Sequence, residues 1–356
     1  MIPINEFAAS LQEYLEHSNS DISKTNYKQV EKNNGTTLHG IIVRTEASNV
    51  APVIYIDDLY AKYQNGQHTL ASACDQFGMM YKEAKVPIRN LCISLFTDIE
   101  NAKENLSIEM INMKANSNLL KNVPYIEYGD LAGIYKVHMG SIGEGIGTIT
   151  VTNDHVAGWG ITNEELHKRA MANLEKSEYS IKSMKDVFME EIGGDDLLGL
   201  LGEIDKSQNT MPLYVLSNRN KLHGASGILR TDLLQSFAEK MGSNLVVLPS
   251  SIHEVLLIPD QKVDINIQDF IDMVTEINTN DVAVEERLSN NAYFYDKEKS
   301  ELQQGVQKTP MHAKIHSEQE NRRASVLGRL KTNKDKLQGP ENSPIQGKEI
   351  RQEKGR

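Results

Sequence analysis

The chain has 356 residues, 39% hydrophobic and 24% charged, with a formal net charge of −11, enough for one large or two ordinary domains with a core. No apolar run approaches the roughly 20 residues of a membrane-spanning helix, and the opening MIPINEF has neither a basic segment nor an apolar signal core, so a cytoplasmic protein without membrane contact is expected. The only cysteines are Cys74 and Cys92, too few for a disulfide framework or a cysteine-rich metal site, so both are expected as buried, reduced thiols.

From the N-terminus, Ile4, Phe7, Leu11 and Leu15 recur at spacings of three and four, which predicts an amphipathic helix over 5–16. A polar connection follows. Strands are expected over 38–44 and 53–56, then a helical region from Asp57 to about Lys85, closed by Pro87. Residues 108–113 read as a strand, and 130–139 with 147–152 as a hairpin across the glycine-rich 140–145. Helices are expected over 153–159 and 162–174. Asn153 or Asp154 is the expected cap of the first, with Trp159 as its core anchor, and Thr162 and Glu165 have capping-box spacing at the second.

Residues 176–210 are acidic and interrupted by glycine, with Val187, Phe188, Ile192, Leu197, Leu198, Leu200 and Leu201 as the apolar contribution, and are expected to connect an N-terminal lobe, 1–175, to a C-terminal lobe, 211–297. The second lobe has the most legible punctuation. Leu213 to Ser217 reads as a strand, the polar Asn218 to Lys221 as a turn, and Leu222 to Leu229 as the return strand. Thr231 is expected to cap a helix over 232–241, whose apolar face is Leu233, Leu234, Phe237 and Met241 and whose stop is Gly242. Strands over 245–248 and 253–258 flank a break at Pro249, Ser250 and Ser251. Both alternating sets of the last strand are apolar, Val255 with Leu257 and Leu256 with Ile258, as in a central strand covered on both faces. Without a regular βαβ alternation or an internal period, the expected fold class is α+β, with mixed or antiparallel sheets and two lobes that resemble each other.

The segments YVLSN, KLHGAS and LPSSIHEVLLIP, with LHGIIVRTEASNVAPVIYIDDLY, DLAGIYKVHM and ITVTNDHVAGWG upstream, resemble a family of uncharacterised bacterial proteins of gut Firmicutes type, known only as a domain of unknown function. The likeness spans roughly residues 25–297 and implies no catalytic or ligand-binding residue.

Residues 301–356 hold 12 Lys and Arg against 7 Asp and Glu, which leaves 26 against 42 for residues 1–300. An acidic body thus carries a basic tail, poor in aromatics and expected to be largely disordered from residue 298. Within it Arg322, Arg323 and Lys331 surround an apolar strip of Val326, Leu327 and Leu330 at helical spacing, a pattern suited to folding against a protein partner, with tail-mediated nucleic-acid contact as the alternative.

Three constellations invite a chemical reading. Ser250, Ser251, His253 and Glu254 supply the residue types of serine hydrolysis, but along a strand Glu254 falls on the face opposite His253, and no nucleophile elbow, HExxH or Walker loop accompanies them. The glycines at 140, 143, 145 and 147 lack the lysine of a phosphate-binding loop and fit a hairpin turn. The tripeptide LHG occurs at both 38–40 and 222–224 after a polar turn; a duplication would pair His39 with His223 at a pseudo-symmetric interface able to hold a metal or an anion. The leading expectation is a non-enzymatic protein- or ligand-binding module without a cofactor, and the alternative a hydrolase built on Ser251, His253 and His223.

Overall fold

In the computed structural model the described residues are 1–46, 51–84, 98–142, 145–192, 212–260, 266–305 and 308–316. Residues Met1–Ile315 form one compact unit. Among the described residues the fold is α+β, with three sheets, all of whose strand pairs are antiparallel. The second unit, His316–Arg356, lies outside the described residues except for His316, and the tail residues Arg322, Arg323, Val326, Leu327, Leu330 and Lys331 lie outside with it.

The chain opens with helix α1 (Ile4–Ser18), whose Phe7, Leu11 and Leu15 are fully buried as the spacing predicts. Strands β1 (Ile22–Glu31), β2 (Thr37–Thr45) and β3 (Val53–Tyr55) make the first sheet, and helices α2 (Asp57–Gln64) and α3 (Leu70–Ala84) complete a core around Phe7, Ile41, Ile56 and Phe77. The expected polar connection is therefore the strand β1. It pairs with β2 along its length, and its Thr25 hydroxyl and N–H both donate to Glu16 of α1 (2.6 and 3.0 Å). Cys74 is buried in this core, which raises its thiol pKa; Cys92 lies outside the described residues.

After the short α4 (Ile99–Ala102), strands β4 (Leu106–Asn112), β5 (Tyr125–Tyr128), β6 (Leu131–Ile142) and β7 (Gly145–Thr150) form the second sheet. The expected β6–β7 hairpin is present and closes at Ile142 opposite Gly145. Helix α5 (Asn153–Trp159) is capped one residue earlier than expected, by Thr152, whose hydroxyl accepts from the His155 N–H while the His155 ring accepts from the Thr152 N–H. Thr162 caps α6 (Asn163–Lys176) as predicted.

The third sheet has the order β14, β13, β12, β10, β11, β9, β8. Its strands are β8 (Tyr179–Ser183), β9 (Tyr214–Asn218), β10 (Leu245–Leu248), β11 (Val255–Pro259), β12 (Tyr293–Asp296), β13 (Glu301–Gln304) and β14 (Thr309–Pro310), while β15 (Lys314–Ile315) crosses back to pair with β5. The 176–210 segment thus supplies β8 and helix α7 (Met184–Ile192); its Leu197, Leu198, Leu200 and Leu201 lie outside the described residues. Residues 301–304, 309–310 and 314–315, expected to be disordered, are strands; Leu302 packs into the main core and Gln303 is buried beside it. β11 is central and covered on both faces as read: Val255 and Leu257 join one core, Ile258 and Leu256 another beneath helix α9 (Ile267–Asn280).

The return strand expected over 222–229 is instead a 3₁₀ helix, Gly224–Leu229, all six of whose residues are buried. A strand at the surface of one core alternates between buried and exposed positions; a run of six small and apolar residues with no exposed set packs as a compact turn instead. Helix α8 (Thr231–Met241) then begins at Thr231, which is its first residue and not its cap. Arg230, just ahead of it, is buried and donates through Nη1 to the carbonyls of Leu174 (3.1 Å) and Ser177 (3.4 Å) at the end of α6.

The turn between β1 and β2 fastens the first sheet to the rest. Asn34, at φ 59°, donates through its amide to the carbonyls of Val284 (2.7 Å) and Arg287 (2.6 Å) and exchanges two hydrogen bonds with Asn116 (2.9 Å each). Asn is one of the few residues that takes this left-handed conformation readily. Asn34→Ala removes the side-chain bonds to Val284, Arg287 and Asn116, keeps the backbone N–H bond to Asn116 and strains the turn; it is expected to lower unfolding free energy by about 2–4 kcal/mol, measurable as a shift of the urea midpoint at unchanged slope.

Candidate functional site

Strand β4 alternates cleanly: Leu106, Ile108 and Met110 enter the main core, which turns Ser107 and Glu109 to the other face. Lys136 of β6 stands opposite Ser107 in register, and His138 follows two residues later on the same face, opposite Thr148 of β7. A register shift between His138 and Gly140 puts an extra residue into β6 at this point, a bulge that re-aims neighbouring side chains. The result is a polar face containing Ser107, Glu109, Lys136, His138 and Thr148 on an otherwise apolar scaffold.

The turn after β9 closes over that face. Asn218 holds it through two hydrogen bonds to Leu222, donating to the carbonyl (2.7 Å) and accepting from the N–H (3.3 Å). Lys221 and His223 both have positive φ, 52° and 51°, a strained backbone for side chains of this size. Gly224 lets the turn press onto β9: a Cβ there would meet the Ser217 hydroxyl, the His253 carbonyl at 2.5 Å and the Asn218 nitrogen at 2.9 Å. This close approach sets the position of His223.

Between face and turn lies a cavity of about 410 Å³, walled by Ser107, Glu109, His138, Thr148, Tyr179, Asn218, Asn220, His223 and Ser226 among others. Its wall includes Glu109, whose side chain is only 9% exposed; Lys136 Nζ stands 3.4 Å and His223 Nδ1 3.8 Å from the same carboxylate oxygen. The His223 and His253 rings lie 5.6 Å apart. The His223 N–H donates to His253 Nδ1 (3.3 Å), and Glu286 stands 3.5 Å from His253 Nε2. Burial lowers the pKa of both His138 and His223, opposed in each case by the neighbouring Glu109, so near neutral pH both favour the uncharged ring, able to donate at one nitrogen and accept at the other.

Of the residues singled out in the sequence, His223 and His253 are brought together. Ser251 is not aimed at them: it is buried, its hydroxyl accepts from the His253 backbone N–H (3.0 Å), and its backbone bridges to Arg287. Glu254 lines a different cavity, with Val215 and Leu256. The acid facing the His253 ring is Glu286, which no local pattern singles out. His39 sits in the first sheet, where Asp57 binds its ring (2.7 Å) and its backbone N–H (2.8 Å). Its LHG belongs to a strand, whereas the second LHG carries a left-handed residue into a 3₁₀ helix, so the two tripeptides are not structural equivalents. Among the described residues no group of three or more His, Cys, Asp or Glu has metal-binding geometry, and no helix is long and apolar enough to cross a membrane.

Glu109, Lys136 and His138 went unremarked in the sequence. Two signals were there: a lone carboxylate inside the apolar run Leu106 to Asn112, and a Lys and a His two residues apart in a strand, the spacing that puts both on one face.

Two further histidines share the depressed pKa. His155 accepts from the Thr152 N–H (3.0 Å) and His167 meets the buried Tyr135 hydroxyl (3.1 Å), and burial disfavours the charged ring at both. The unfolded chain binds protons at these four sites near pH 6.5 while the folded chain resists them, so stability rises with pH across this range. Their contribution is full above about pH 6.5 and is lost as pH falls through the lower folded values. A urea midpoint measured at about pH 5.5 is therefore expected below that at about pH 7.5; equal midpoints would contradict it.

The chain belongs to DUF5688, a family of unknown function, whose sequence profile matches residues 4–297. The match reaches further than the likeness read from 25 onward and takes in α1. No curated protein and no solved structure matches the chain.

Proposed function

We propose that this member of a family of unknown function is a binding module that takes a small polar ligand in the cavity between the β4–β6–β7 face and the Asn218–Gly224 turn. One observation carries the reading: a nearly buried carboxylate, Glu109, lines a 410 Å³ cavity with its ionic neighbours at 3.4 and 3.8 Å, longer than the roughly 2.7–2.9 Å of a charge-assisted hydrogen bond. Burying a carboxylate is costly unless its lone pairs are used, and a ligand that donates to Glu109 would use them. The volume falls within the roughly 300–1,000 Å³ of small-molecule sites, and positive-φ residues beside it are the kind of strain that gathers at ligand sites.

The test is a metabolite library screened by thermal shift on the wild type and on Glu109→Gln. At least one small polar compound is expected to raise the wild-type Tm by several degrees and to lose about tenfold in affinity in the variant, a difference of about 1.4 kcal/mol. A library without any stabilising compound, or stabilisation equal in both proteins, would overturn the reading. A protein partner taken through the tail, with Val326, Leu327 and Leu330 as its apolar contact, is a separate proposal that rests on the sequence pattern alone; a truncation after residue 316 that keeps every association would remove it.

A further inference from the structure

Resting on that reading, we propose that the ligand is a neutral polyhydroxylated molecule, of the sugar or nucleoside kind, whose hydroxyls donate to Glu109 and exchange hydrogen bonds with His138 and His223. The charges around the cavity cancel in pairs. Lys136 faces Glu109 at 3.4 Å, and Arg219 faces Glu178 at 3.2 Å on the rim. An anion would meet the Glu109 carboxylate in the wall, and a cation would find that carboxylate already neutralised by Lys136 on its other side, so a net charge of either sign gains little.

What the cavity offers in abundance is neutral hydrogen bonding. The Ser107 hydroxyl lines it and is buried without a hydrogen-bond partner among the described residues. Thr148 and Asn220 add a hydroxyl and an amide to the wall. An uncharged imidazole and an amide each donate and accept, and a carboxylate takes two donors side by side. Adjacent hydroxyls on one carbon frame meet all three requirements, since each both donates and accepts. A site built to hydrogen-bond hydroxyls discriminates strongly against analogues that lack them, because its own polar groups are then left unpaired.

Isothermal titration of the full chain with D-glucose, N-acetylglucosamine, ribose and adenosine, beside inorganic phosphate and ethylammonium, tests the class. At least one of the four polyols is expected to bind, at least tenfold more weakly to Glu109→Gln and measurably more weakly to Asn220→Ala, an exposed rim substitution that leaves the fold alone. Binding of phosphate or ethylammonium without binding of a polyol would overturn the class and leave the binding reading standing. So would silence from all six probes while the metabolite library yields a Glu109-dependent compound without adjacent hydroxyls. A library with no such compound removes the reading itself.

Discussion

Asp130→Ala is expected to destabilise the fold by about 3–5 kcal/mol, because it takes the shared acceptor from four side-chain donors, one of them fully buried. Asp130, at the β5–β6 turn, accepts four side-chain hydrogen bonds from strands β12 and β13 and the segment leading into β12. Gln304 (2.9 Å) and the Tyr293 hydroxyl donate to Oδ1, and Ser289 (2.7 Å) and Asn291 (2.9 Å) donate to Oδ2. Tyr293 is fully buried, and burial beside this carboxylate drives its phenol pKa well above the ordinary value, so the hydroxyl stays a donor throughout the accessible pH range. Without Asp130 that donor loses its carboxylate acceptor, and each group left orphaned adds about 1–3 kcal/mol. Asp130→Asn is expected to rescue little. Every partner is a donor, and an amide presents one acceptor and one further donor to them. Chemical denaturation of both variants checks this; wild-type stability in Asp130→Asn would show that the network counts for little.

Gly224→Ala is expected to have the largest effect on the site itself. Its added Cβ would fall on the Ser217 hydroxyl and 2.5 Å from the His253 carbonyl, and neither can yield cheaply: Ser217 Oγ already donates to that same carbonyl (2.8 Å). The turn has to lift from β9, at an overpacking cost of about 1–3 kcal/mol, and it carries His223 away from Glu109 and His253. Ligand affinity is expected to fall by at least about tenfold. Gly158→Ala is the control. It sits in α5 with open space at its Cβ, so the same substitution there relieves a helix-propensity penalty of about 1 kcal/mol and leaves the site intact. Equal affinity in the two variants would contradict the role given to the turn.

The fold was legible wherever one strong periodicity faced one core. Helix α1, the β6–β7 hairpin, α6 and β11 all read correctly, because Phe7, Leu11 and Leu15, or Val255 and Leu257, have no competing role. Strand β1 was missed because its charged and polar residues hide an extended segment whose partner, β2, supplies most of the apolar contribution. Strands β5 and β8, of four and five residues, are too short to show an alternation of their own. The 3₁₀ helix at 224–229 was misread because a buried run of small residues carries no period, and its conformation is set by the close approach of Gly224 to β9.

The site was half legible for a related reason. His223 and His253 stand out beside turn residues, and their proximity follows from β9 and β11 being neighbours. Glu109 and His138 reach the same cavity from another sheet, at least 85 positions away in the chain, and no local pattern encodes that meeting. The Ser251–His253 pairing failed to form a hydroxyl–imidazole contact because the break at Pro249 turns Ser251 into a backbone partner of Arg287.

The central claim is that the Glu109 cavity binds a ligand, and the most direct measurement is the histidine side-chain ¹H–¹⁵N correlation spectrum of the full chain, titrated with compounds that stabilise it in the thermal-shift screen. Movement of the His138 and His223 resonances, with His39 and His155 unmoved, is the predicted result. Unchanged His138 and His223 signals on saturation with a stabilising compound would contradict it.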